Sequence, residues 1–289
     1  MPDLTFSLIQ STLHWEDKAA NLQMFQQKIE RIAEKTEVVI LPEMFSTGFS
    51  MNPAPLAETM DGPTVAWMKE IAAKKNIIVT GSLIIASPPA PLRAERGEPS
   101  HHFQADAYFN RLIWMLPNGQ YGFYDKRHLF AFAGEDKYYT AGNKRLIASV
   151  KGWKINLLVC YDLRFPVWAR QTPHPPTPSP HREGEYAPEY DVLIYVANWP
   201  QRRNHAWKTL LQARAIENQC YVIGVNRVGE DGNGVNHSGD SMVVDPLGEV
   251  LYHKEIDEDV FTITLQKEHL EEVRNKFPFL RDGDGFGIF

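Results

Sequence analysis

The stretch "NLLVCYDLRFPVW", Asn156 to Trp168, decides how the rest of the chain is read. Leu157, Leu158 and Val159 form the apolar run of a buried strand, yet the run ends in Cys160 and turns at once to Asp162 and Arg164. A cysteine that only filled a core would need no polar residues directly behind it. A nucleophile belongs at a strand's carboxyl end, where sites form in open α/β sheets. It would then need a base and an oxyanion stabiliser from elsewhere in the chain.

Three other runs end in the same manner. "VVILPEMF" closes on Glu43, "YGFYDKRHLF" brings Lys126 and His128, and "VLIYVANWP" ends in Asn198, Trp199 and Pro200. A thiol at neutral pH needs a nearby base to become a thiolate. Glu43, partly desolvated by Met44 and Phe45, suits that role. Lys126 and the backbone N–H of Tyr161 are expected to stabilise an oxyanion. Glu135, in "AFAGEDKYYTAGN", would orient the lysine or the substrate. Taken singly, each has a plainer reading: a structural thiol, a loop or cap carboxylate, a solvated turn. A Cys–His enzyme with His128 or His205 as base stands beside the Glu–Lys–Cys arrangement at this point. Cys220, in "NQCYVIGVN", reads as a core thiol.

The whole chain bounds these readings. Its 289 residues suffice for one large α/β domain or two smaller ones. A net charge of −6 argues against a nucleic-acid partner. No apolar run approaches the roughly 20 residues of a membrane span. The opening "MPDLTFSLIQ" lacks the pattern of a signal peptide, so a cytoplasmic protein is expected. Two cysteines argue against a disulfide framework or a cysteine-rich zinc site.

Strands are expected at 4–10, 37–43, 76–85, 107–116, 155–162, 191–199, 220–228, 240–246 and 259–265. Several are continuous apolar runs, as befits strands covered on both faces. Helical spacing appears over 16–34 (Leu22, Phe25, Ile29, Ile32), over 63–75 after Asp-Gly-Pro, and over 203–219 (Trp207, Leu210, Leu211, Ile216). This alternation indicates a layered α/β fold. Two stretches stand apart: 87–102, "SPPAPLRAERGEPSHH", and 171–190, "QTPHPPTPSPHREGEYAPEY", which hold ten of the twenty prolines. Both read as exposed loops, and His101, His102, His174 and His181 in them as solvated side chains rather than a metal site.

Together the segments resemble the nitrilase superfamily of carbon–nitrogen hydrolases. "LPEMFSTGF", "YDKRHLFAFAGEDKYYTAGN" and "LLVCYDLRFP" occur in that family's order, and similarity continues through "YVANWPQRRNHAWKTLLQARAIENQCYVIGVNRVGEDGNG" to "HSGDSMVVDPLGEV". The resemblance implies one domain over 1–289, a four-layer α-β-β-α sandwich that forms a homodimer. It implies a Glu–Lys–Cys triad of Glu43, Lys126 and Cys160 with Glu135 in support, and no metal or organic cofactor. His128 and His205 then become pocket or structural residues. "DKRHLF", "CYDLRFPVWAR" and "YVANWP" look most like the omega-amidase branch, which releases ammonia from the distal amide of 2-oxo acids such as 2-oxoglutaramate and 2-oxosuccinamate. Such a substrate needs a cation for its carboxylate. Arg202 or Arg203 is expected to supply it, with Arg127 a weaker candidate, while Asn198, Tyr161 and His128 are expected near the substrate. Arg164 is expected to brace the turn after Cys160 through an ion pair. The proline-rich insertions depart from the branch's short turns. Amidases for another small amide or a carbamoyl amine, true nitrilases, and a non-catalytic binding protein that keeps the fold are the alternatives.

Overall fold

The computed structural model describes residues 2–87, 107–171 and 188–284. Except for Ser87, Gln171 and residues 188–190, both proline-rich stretches and their histidines lie outside the described residues. Thirteen strands are described: β1 Leu4–Gln10, β2 Val38–Ile40, β3 Ile78–Ser87, β4 Ala107–Met115, β5 Tyr121–Asp125, β6 Ile147–Val150, β7 Trp153–Val159, β8 Val192–Ala197, β9 Tyr221–Asn226, β10 Val228–Glu230, β11 Asn236–Val244, β12 Val250–Glu255 and β13 Asp259–Leu265. The helices are α1 Lys18–Glu30, α2 Pro53–Leu56, α3 Pro63–Lys75, α4 Pro166–Ala169, α5 Asn204–Asn218 and α6 Lys267–Lys276. Among the described residues no helix is long and apolar enough to cross a membrane.

The strands form two sheets, β13-β1-β2-β3-β4-β5 and β10-β11-β9-β8-β7-β6, with β12 paired to β11. In the first, β1, β2 and β3 are parallel. In the second, β7, β8 and β9 are parallel. One apolar cluster joins the inner faces, with Phe6, Leu8, Ile40 and Trp114 from the first sheet and Leu157, Ile194 and Ile223 from the second. Phe25 and Ile29 of α1 and Met68 and Ile71 of α3 cover the outer face of the first sheet. Trp207 and Leu211 of α5 cover the second so closely that a Cβ on Gly224 would lie 2.6 Å from Leu211. The order is therefore helix, sheet, sheet, helix, because each sheet has two apolar faces and must bury both.

Several boundaries shift from expectation. The strand expected over 37–43 stops at Ile40, and the one over 155–162 stops at Val159. Cys160 already opens a 3-10 turn, Cys160–Arg164, and has a φ of 44°. The run over 220–228 divides into β9 and β10, since Asn226 and Arg227 break the apolar pattern. β6, β12 and α6 were not expected: they are short, exposed or strongly charged, so their periodicity is weak.

Candidate active site

The strand ends converge. β5 is antiparallel to β4, which is antiparallel to β3, so β5 runs with β2 and carries Lys126 to the same edge as Glu43. Cys160 and Asn198 follow β7 and β8 at the facing edge of the other sheet. The sheets are tied together there. The Asn198 backbone N–H donates to Glu43 Oε2 at 2.8 Å, and its Nδ2 donates to the Glu43 carbonyl at 2.6 Å.

Lys126 lies between two carboxylates, all three side chains being wholly buried. Its Nζ donates to Glu43 Oε1 at 2.9 Å and to Glu135 Oε1 and Oε2 at 3.0 and 2.8 Å. Glu135 reaches inward because Gly134, with a φ of 77°, turns the chain into the 3-10 segment Glu135–Lys137. Its Oε2 also accepts from the Phe130 N–H at 2.6 Å. The loop closes at Gly142, whose N–H donates to the Lys126 carbonyl at 2.9 Å. A Cβ there would stand 2.1 Å from the Asp125 carbonyl oxygen, so the closure requires glycine.

Asn110 of β4 completes the cluster. Its Nδ2 donates to Glu43 Oε1 at 2.8 Å and to Glu135 Oε1 at 3.2 Å, bridging the two carboxylates. The sequence reading missed this residue. A buried asparagine inside the apolar run "AYFNRLIWM" was the available signal, since a polar side chain there must find partners.

Electrostatics follow from burial. For Lys126, burial disfavours the ammonium, but Glu135, then Glu43, outweigh it and hold its pKa above the ordinary lysine range. Burial, opposed by Lys126 and assisted by Glu43, raises the Glu135 carboxyl. Burial and then Glu43 push the Cys160 thiol well up, with Lys126 pulling the other way. The thiol is therefore favoured over the thiolate.

Asp162 fastens the turn after Cys160. Its Oδ2 accepts from the Val159 N–H at 3.0 Å and the Tyr124 hydroxyl at 2.7 Å. Its Oδ1 accepts from the His128 N–H at 2.9 Å and lies 2.8 Å from His128 Nδ1. His128 also stacks on Phe165, so it is committed to the turn and does not line the cavity. His205 is exposed at the start of α5 and stands apart from Cys160's cavity. Arg164 does not brace the turn as expected. It makes no ion pair among the described residues, and its guanidinium lies 5.1 Å from the Trp199 ring centroid. Asp162 had already met the turn's donors.

Cys160 opens onto a cavity of about 320 Å³. Glu43, Lys126 and Glu135 lie behind it, while Tyr161, Asn198, Arg164, Arg202 and Arg203 line it. Arg127 is directed elsewhere, donating to the Gly142 carbonyl at 3.2 Å. Burial, then the neighbouring Arg202, lowers the pKa of Arg203. Asp231 and His237 complete the far wall, and neither was singled out in the sequence. Asp231 Oδ1 accepts from the N–H groups of Asn233 and Val235 at 2.8 and 3.0 Å. Burial, then the nearby Arg227, lowers His237 to about 4, so its imidazole is neutral at pH 7.

Among the described residues one group, Asp240, His253 and Glu255, is close enough to share a metal ion. Lys208 already bridges Asp240 and Glu255 at 3.2 and 3.1 Å, which makes it an ion-pair cluster.

Residues 6–275 match the carbon-nitrogen hydrolase family. The chain is 40% identical to "Omega-amidase YafV" of Escherichia coli (strain K12) over 290 residues, covering 100% of each chain. It is 29% identical to "2-oxoglutaramate amidase" of Bacillus subtilis (strain 168), covering 96% of each. The crystal structure of XC1258 from Xanthomonas campestris, a CN-hydrolase superfamily protein with an arsenic adduct in its active site, is similar with a TM-score of 0.87. Its sequence is 43% identical, and 100% of each chain is covered.

Proposed function

This chain belongs to the carbon-nitrogen hydrolase family, of the nitrilase superfamily, and we propose that it is an omega-amidase. It hydrolyses the distal amide of small 2-oxo acid amides, such as 2-oxoglutaramate and 2-oxosuccinamate, to the dicarboxylate and ammonia. The observation that carries this reading is the cavity itself: a thiol at its floor and three arginines against one aspartate in its wall. A neutral amide would have no use for that positive excess, whereas a carboxylate at the substrate's other end would neutralise part of it.

In this reading Glu43 takes the Cys160 proton as sulfur attacks the amide carbon and the C–S bond forms. Lys126 and the Tyr161 N–H offset the charge on the carbonyl oxygen. Glu43 returns the proton to nitrogen, the C–N bond breaks and ammonia leaves. Water then attacks the thioester, Glu43 accepts its proton, and that proton returns to sulfur as the acid departs. Because the resting group is a thiol, proton transfer accompanies attack. Glu135 and Asn110 keep Lys126 and Glu43 in register. Arg203, with Arg202 and Arg164, receives the carboxylate. No metal or organic cofactor enters the steps, and the protein acts as a cytoplasmic homodimer.

The test is ammonia release from 2-oxoglutaramate beside glutamine, asparagine, a carbamoyl amine and a simple aliphatic amide, with Cys160→Ala as control. Turnover of the 2-oxo amide that vanishes in the variant is expected. Cys160-dependent turnover of another amide alone would overturn the substrate assignment while keeping the chemistry.

A further inference from the structure

A second cavity, of about 380 Å³, lies at the other end of the same strands. Lys154 belongs to the start of β7, and Asp191 and Gln219 precede β8 and β9. Cys160 follows β7, so six residues of extended chain, roughly 20 Å, separate the two sites. Nothing in the amidase reading uses this second cavity.

Its floor holds two cations against one carboxylate. Lys267 Nζ lies 2.7 Å from Asp191 Oδ2, with the lysine side chain only 5% exposed. Arg274 Nη1 donates to Asp191 Oδ1 at 2.8 Å. Asp191 Oδ2 also accepts from the Lys154 backbone N–H at 2.9 Å, so both of its oxygens are engaged. The Lys154 and Arg281 side chains add two cations at the rim and Glu271 one anion. Four cations and two carboxylates leave the lining with an excess of two positive charges. Gln219, 4% exposed, also lines the cavity, and its Oε1 accepts no hydrogen bond among the described residues.

We propose that this cavity binds a phosphate group, free or as a small monoester. Arg274, part-buried, also donates to the Gln219 and Tyr190 carbonyls at 2.9 and 2.8 Å, but those carbonyls carry no charge, so the two cations that share Asp191 keep a positive excess for a further anion. A carboxylate ligand would offset only one of the two excess charges, whereas a phosphate group, close to doubly charged near neutral pH, matches both. The cavity volume falls in the range of small-ligand sites, which leaves room for a group esterified to the phosphate.

Calorimetric titration of the full chain with inorganic phosphate, and separately with glycerol phosphate, at constant ionic strength tests this. Lys154→Glu/Arg281→Glu is the companion variant. Both side chains are exposed, and neither donates a side-chain hydrogen bond among the described residues, so the variant should fold and keep its basal ammonia release. The expected result is saturable binding of one phosphate per chain, at least tenfold weaker in the variant. Tighter binding of the ester would identify a monoester as the occupant, and equal or weaker binding free phosphate. No saturable heat with either probe, or equal affinity in the variant, would overturn the proposal.

Discussion

Replacing Lys126 with methionine removes the cation between Glu43 and Glu135 while keeping a buried chain of similar length. The substitution breaks two ion pairs, at 2.9 and 2.8 Å, each worth about 6 kcal/mol of gross attraction at an effective dielectric constant of about 20. Returning the ammonium's desolvation offsets much of that, and breaking a buried pair typically costs about 3–5 kcal/mol net. The pH dependence is the sharper test. Burial already raises the Glu135 carboxyl while Lys126 opposes the rise, so the variant's carboxyl should move higher still. A carboxyl whose folded pKa exceeds its unfolded one binds more protons in the native state. Its stabilising contribution is complete below the unfolded pKa and disappears as pH rises through the folded pKa. The stability gap between wild type and Lys126→Met should therefore widen on going from pH 5 to pH 8. The increment is about 1.4 kcal/mol for each unit over which only the variant stays protonated. Urea unfolding at four pH values measures this. A gap that stays constant with pH would refute the claim that Lys126 holds the Glu135 carboxyl down. Ammonia release should fall by about a thousandfold or more, through loss of oxyanion support and of the ion pair that holds Glu43 in place.

Arg203→Ala should raise KM for a 2-oxo acid amide at least tenfold, with little change in kcat and none for a neutral amide; equal effects on both amides would remove Arg203 from carboxylate binding. Gly142→Ala forces a Cβ to 2.1 Å from the Asp125 carbonyl oxygen, so thermal unfolding should show a loss of about 1–3 kcal/mol and ammonia release should fall as Lys126 shifts. An unchanged Tm would show that the loop adapts. Iodoacetamide should label Cys160, which lines the cavity, before the fully buried Cys220. Because burial raises the Cys160 thiol, its labelling rate should still be climbing at pH 9, and a plateau near pH 7 would contradict a protonated resting sulfur.

Most of the architecture was legible where apolar runs were long. β1 and β13 lie over the residues expected, as does α3, because their patterns are continuous and their ends are marked by polar, Gly or Pro residues. β6 and β12 were not, since a four-residue strand and a largely exposed one have too little apolar periodicity to stand out. The candidate site divides along the same line. Glu43, Lys126, Glu135 and Cys160 were visible as polar residues closing or following apolar runs. Asn110 was hidden inside one, and Asp231 and His237 sit on a hairpin with nothing local to mark them.

By itself the sequence determined which side chains the strand ends would carry, because strand periodicity and turn chemistry are local properties. Only the tertiary structure decided what those side chains do to one another. The bonds that bring Glu43 to Asn110, Lys126 and Asn198 join residues 67, 83 and 155 positions apart. The raised thiol, the two-carboxylate grip on Lys126 and the placing of Arg164 over Trp199 depend on which groups share a buried volume. Desolvation and Coulomb energies are sums over neighbours in space, and neighbours along the chain supply only part of them.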